Sequence, residues 1–79
     1  MPSREESAAA NLRQAIRDAK GDCVVEWIER GVDGYFVLFR KGQVVHREQQ
    51  IDQAVLENGP ATDAIHKLVH KLKVVFGQT

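Results

Sequence analysis

Tyr35-Phe36-Val37-Leu38-Phe39-Arg40-Lys41-Gly42-Gln43-Val44-Val45 is the stretch that decides the fold. Five consecutive apolar, β-favouring residues run into a Lys-Gly pair and return as two valines, the pattern of a β-hairpin. The first strand is apolar on both faces, which asks for cover on both sides. A two-residue turn at Lys41-Gly42 sets Arg40 opposite Gln43, Phe39 opposite Val44 and Leu38 opposite Val45.

Upstream, Asp22 to Arg30 alternates Cys23, Val25 and Trp27 with Val24, Glu26 and Ile28, a period of two that reads as a strand. Gly31-Val32-Asp33-Gly34 connects it to the hairpin, with Arg30 opposite Tyr35, Ile28 opposite Val37 and Trp27 opposite Leu38. Downstream, the third strand runs from Gln43 to about Gln49 and turns polar at His46-Arg47-Glu48-Gln49-Gln50, as suits the rim of a sheet.

Helical patterns flank the strands. Ser3 with Glu6 three residues later is a capping-box spacing, opening a helix over about Arg4 to Lys20. Ala8, Leu12, Ala15, Ile16 and Ala19 form its apolar stripe and Gly21 its stop, with residues 1–6 expected to fray. Asp52 caps a short helical turn that ends at Asn58-Gly59. Pro60 then opens a last helix to Phe76, striped by Ala61, Ile65, Leu68, Val69, Leu72, Val75 and Phe76. The sum is one small α+β domain over residues 1–79, ordered helix, three-stranded antiparallel meander, short helical turn, helix. The two long helices are expected on one face, a two-layer αβββα arrangement.

Composition narrows the function classes. Seventy-nine residues give a single small core. One cysteine, Cys23, excludes a disulfide framework and fits a reducing cytoplasm, its simplest role being a small buried hydrophobe. Eleven basic residues balance eleven acidic ones, which disfavours a dedicated nucleic-acid binder. No apolar run reaches the roughly 20 residues that span a bilayer, and Met1 to Glu6 lacks a signal peptide's apolar segment, so no membrane partner is expected.

Two helices cover one sheet face, and alternation leaves the other apolar too. On this register one face carries Cys23, Val25, Trp27, Phe36, Leu38 and Val45, the other Val24, Ile28, Tyr35, Val37, Phe39, Val44 and His46. The second set, chiefly Tyr35, Val37, Phe39, Val44 and Ile28, is the expected open face and interface. Hiding roughly 300 Å² of it would be worth on the order of 7 kcal/mol before association costs.

Chemistry-bearing constellations are sparse. His66 and His70 stand four apart on one helical face, but only His46 and Glu57 offer themselves as a third ligand and no diagnostic spacing is met, so no metal is expected. Ser3 and Ser7 lie at the terminus, Cys23 has no basic neighbour in sequence, and no glycine-rich phosphate loop exists. No catalytic residue, cofactor or small-molecule substrate is expected in a domain this small. His66, Lys67, His70, Lys71 and Lys73 form a basic stripe on the last helix, readable as a solvated face or as a contact for phosphate or an acidic protein.

The element order resembles the double-stranded-RNA-binding domain in topology and length. That resemblance would imply a basic cluster at the start of the last helix, after a glycine turn. Here Asn58-Gly59-Pro60-Ala61-Thr62-Asp63-Ala64 keeps the glycine, lacks the lysines and puts Asp63 in their place, so the resemblance is one of topology alone. The expected function is a non-enzymatic protein-interaction module, in the class of small adaptors, regulators or phage-type inhibitors, forming a homodimer through the open sheet face. The alternative is a nucleic-acid-binding module using the basic stripe, with Arg40 and Lys41 from the hairpin tip.

Overall fold

A computed structural model describes residues 3–77. The expected fraying of residues 1–6 falls partly on Met1 and Pro2, which lie outside the described residues. The chain forms α1 (Arg4–Asp18), β1 (Val24–Arg30), β2 (Tyr35–Lys41), β3 (Val44–Ile51), α2 (Gln53–Glu57) and α3 (Asp63–Gly77). The strands make an antiparallel sheet in the order β1-β2-β3. This is the αβββα arrangement of the α+β class, with the helices layered on one face of the sheet.

Local chemistry fixes the helix ends. The Ser3 hydroxyl accepts a bond from the Glu6 amide at 3.1 Å, and Asp52 accepts from Ala54 at 3.0 Å. α1 closes through a Schellman arrangement: Lys20 N–H bonds the Arg17 carbonyl and Gly21 N–H the Ile16 carbonyl. The left-handed position therefore falls on Lys20 (φ 58), one residue before the glycine expected to stop the helix. Lys73, from the far end of α3, donates to the Ala19 carbonyl at 2.8 Å and ties the two long helices together. Asn11 does the same for α2, donating to the Leu56 carbonyl at 2.8 Å.

Two bulges set the faces of the sheet. The β1–β2 register is as expected from Arg30↔Tyr35 to Trp27↔Leu38, but then Val25 pairs with Phe39 and Glu26 is left over. That extra residue moves Val25 to the side of Phe39, where it is buried, and sends Val24 to the side of Arg40. On β3, Val37 pairs with Glu48 and Tyr35 with Ile51, so three steps on one strand answer two on the other. Gln50 takes the positive φ of 58° there, and Ile51 swings inward. The hairpin turn is Gly42-Gln43, with Lys41↔Val44, one position on from the expected Lys41-Gly42. The slip shifts the pairing by two residues, an even number, so it moves no side chain across the sheet.

The covered face is the one carrying Tyr35, Val37 and Phe39, all three without solvent exposure. They pack with Val25 and Ile51 against Ala8, Leu12, Ala15 and Ile16 of α1, Leu56 of α2, and Ile65, Val69, Leu72 and Phe76 of α3. The expectation that this face is open is corrected: it is the core. Each such burial is worth about 1.5–3 kcal/mol.

Between β1 and β2, Gly34 has φ 140° and a Cβ there would overlap the Ile51 carbonyl oxygen. Gly34→Ala is expected to cost about 3 kcal/mol or more, the strain adding to the overlap. Lys20→Gly, at the left-handed end of α1, should instead gain about 1 kcal/mol. Denaturant midpoints of the two variants, displaced in opposite directions from the parent, check both.

Candidate functional site

The outer face of the sheet is built from the residues that alternate with the core. Cross-strand rows run Val24–Arg40–Val45 and Trp27–Leu38–Arg47, followed by Glu29–Phe36. Trp27 is 58% exposed, Val24 56% and Val45 42%, while Phe36 and Leu38 are half-buried among their neighbours. The bulged Glu26 takes Arg40 in a two-toothed ion pair, with Nη2 3.0 Å from Oε1. That pair neutralises the middle of the face and leaves Glu29 along one edge and Arg47 along the other.

The five residues expected at an interface lie elsewhere. Tyr35, Val37 and Phe39 are fully buried, and Ile28 and Val44 are half-buried against the same core. On the outer face of the sheet the exposed apolar set is Trp27, Val24 and Val45, backed by Phe36 and Leu38. One signal in the sequence pointed to it: Glu29 and Arg40 share a face with Phe36 and Leu38, and charges flank a solvent face more often than a core.

The basic stripe is largely engaged in holding the domain together. Lys71 Nζ lies 2.9 Å from Glu48 on β3, and Lys73 binds the Ala19 carbonyl. The His66 ring donates through Nε2 to the Pro60 carbonyl at 3.2 Å. Lys67 and His70 are exposed and share a shallow groove of about 320 Å³ with His66 and Asp63. Asp63 is the first residue of α3, so negative charge stands where duplex RNA would need positive charge. His46, the possible third ligand, bonds Glu48 at 2.8 Å and meets Phe76 edge-on, and Glu57 bonds Tyr35. Among the described residues no three His, Cys, Asp or Glu side chains are grouped to hold a metal ion.

Two polar contacts lie at the seam between sheet and helices. The Tyr35 hydroxyl donates to Glu57 at 2.6 Å, with Arg30 3.8 Å from the same carboxylate. Burial and the adjoining carboxylate push the Tyr35 phenol up to about 12. Burial also pushes the Cys23 thiol up, against the character of a nucleophile. Among the described residues no helix is long and apolar enough to cross a membrane. The chain matches no protein-family model, no curated protein and no solved structure.

Burial opposes ionisation of Glu48, but hydrogen bonds from His46 and Lys71 outweigh it and hold the carboxyl below its ordinary value. A carboxyl lowered by folding adds stability above its unfolded pKa of about 4.3, and that stability is lost as pH falls through the folded value. Glu48→Gln should therefore melt below the parent at neutral pH. The gap in Tm should close as thermal scans are taken below about pH 4.

Proposed function

We propose that the domain is a non-enzymatic interaction module, of the kind found among small adaptors and regulators, that works as a homodimer through the outer face of its sheet. The observation that carries this reading is Trp27, more than half exposed halfway along β1 on the outer face, beside Leu38 and next to the row that holds Val24 and Val45. A tryptophan so placed gives up a large apolar contribution that a partner would recover.

The face also complements itself. A two-fold axis parallel to β2 exchanges β1 with β3 while keeping each cross-strand row level with itself. Val24 of one copy then lies over Val45 of the second, Leu38 over Leu38, Arg40 over Arg40 with each charge matched by its own Glu26, and Trp27 under the guanidinium of Arg47, a cation–π pairing. The sheet edges are poorly suited to the same task. β1 is broken by its bulge, and β3 is polar and bulged near its end.

Strand geometry bounds the strength of such a pair. Seven residues by three strands span roughly 24 by 14 Å, which puts the contact near or below the small end of specific interfaces. The dimer is accordingly one that forms with rising concentration and exchanges readily. A reducing cytoplasm, which keeps the lone thiol of Cys23 free, suits the reading.

Sedimentation velocity over a range of about 5 to 500 μM tests it, the span in which a weak interface titrates. The parent should move from monomer toward dimer, and Trp27→Lys should stay monomeric with an unchanged melting temperature. A parent that remains strictly monomeric at the highest concentration sinks the proposal.

A further inference from the structure

A second surface lies around the edge of β1, away from the middle of the outer face. There α1 and the sheet leave a groove of about 270 Å³, lined by Arg13, Ile16, Arg17, Gly21, Cys23, Val24 and Val25. Ile16, Cys23 and Val25 are buried and supply an apolar wall. Arg13 and Arg17 are exposed, and neither has an ion-pair partner among the described residues. Several other cations near the sheet are matched, Arg30 by Glu57, Arg40 by Glu26, Lys41 by Asp22 and Lys71 by Glu48, while Arg47 on β3 stands alone among the described residues.

Four residues apart on one helix, the two guanidinium groups stand on the same side and repel each other. The helix dipole accounts for Arg17 in the last turn but not for Arg13 in the middle of α1. An anion between them would relieve the repulsion, and each guanidinium presents a fork that fits a carboxylate. The groove also runs beside a strand that has no neighbour on its outer side. From Val24 to Val25 that edge is regular, until the bulge at Glu26 interrupts it.

We propose that this groove binds a short, extended acidic segment of a partner protein, with an apolar side chain against Ile16, Cys23 and Val25 and a carboxylate held by Arg13 and Arg17. The segment gains main-chain bonds along the free edge at its apolar end, and pairing stops where the bulge begins. A basic segment would meet two unpaired cations and is rejected. The groove serves a different partner from the second copy proposed for the outer face and does not depend on that dimer, although Val24 lies at the border of both surfaces.

The probe is a blocked hexapeptide of alternating leucine and glutamate, titrated into the ¹⁵N-labelled full chain and followed by amide chemical shifts. Saturable shifts are expected at Gly21, Cys23, Val24 and Val25 and along α1 from Arg13 to Arg17. Affinity should fall at least tenfold in Arg13→Gln/Arg17→Gln, whose changes are both exposed and leave the core intact. The leucine–lysine counterpart should give no such shifts. Trp27→Lys should bind the acidic peptide as the parent does, which separates this site from the dimer face. The proposal is overturned by no localised shifts at about 5 mM peptide, a concentration that would reveal even millimolar affinity. Affinity unchanged in the double variant overturns it too, as does a DNA or RNA oligonucleotide that shifts these amides when the peptide does not.

Discussion

Tyr35, Val37 and Phe39 project from the middle strand into a layer made by all three helices, and every other element takes its place from that contact. A strand has two faces, so committing these three side chains to the core commits Phe36, Leu38 and Arg40 to the opposite side. The neighbours follow through pairing. Phe39 draws Val25 inward, Tyr35 draws Ile51 inward, and the bulges at Glu26 and Gln50 are what let them arrive. The helices are then held less by their own stripes than by this ridge, since α1 offers mostly alanine where it meets the sheet. Small side chains let α1 come close, and the larger groups of β2 and α3 fill the space between.

Much of this architecture is legible in the residues. Element order, the meander, the caps at Ser3 and Asp52, and the pairing of Arg30 with Tyr35 all follow from period, turn residues and cap chemistry. The choice of face does not. Both sides of Tyr35-Phe36-Val37-Leu38-Phe39 are apolar, so alternation within β2 carries no preference. The deciding information sits in the flanking strands, where one extra residue reverses the reading. Without a bulge at Glu26, Val25 belongs with Trp27 and Leu38; with it, Val25 belongs with Phe39. A bulge leaves no mark in hydrophobic period beyond a single break, and Val24-Val25 hides even that.

The candidate site shows a similar division. Spacing places His66, Lys67, His70 and Lys71 on the side of α3 away from its apolar stripe, and the exposed residues bear that out. What spacing does not reveal is that Lys71 reaches β3 and Lys73 reaches the end of α1. Long side chains find acceptors on elements distant in sequence, and such partners depend on how the layers pack. Charge on one helix face is thus spent partly on binding the domain to itself, which weakens the case for nucleic acid. Arg13 and Arg17 gave no signal in the sequence for the opposite reason: they look ordinary until the packed structure shows that nothing answers them.

Glu26 is the inserted residue of its strand, and removing it would leave Val24 opposite Arg40 and Val25 opposite Phe39 as they are. The core would not register the loss. What would change is the outer face, where Arg40 would lose its carboxylate, and the outline of β1, from a kinked border to an uninterrupted row of amides and carbonyls with a tryptophan and a valine pair close by. Such a border is a template on which further chains stack into insoluble sheets. A single surplus residue therefore gives β1 a broken border in place of a regular one that could pair with a further strand.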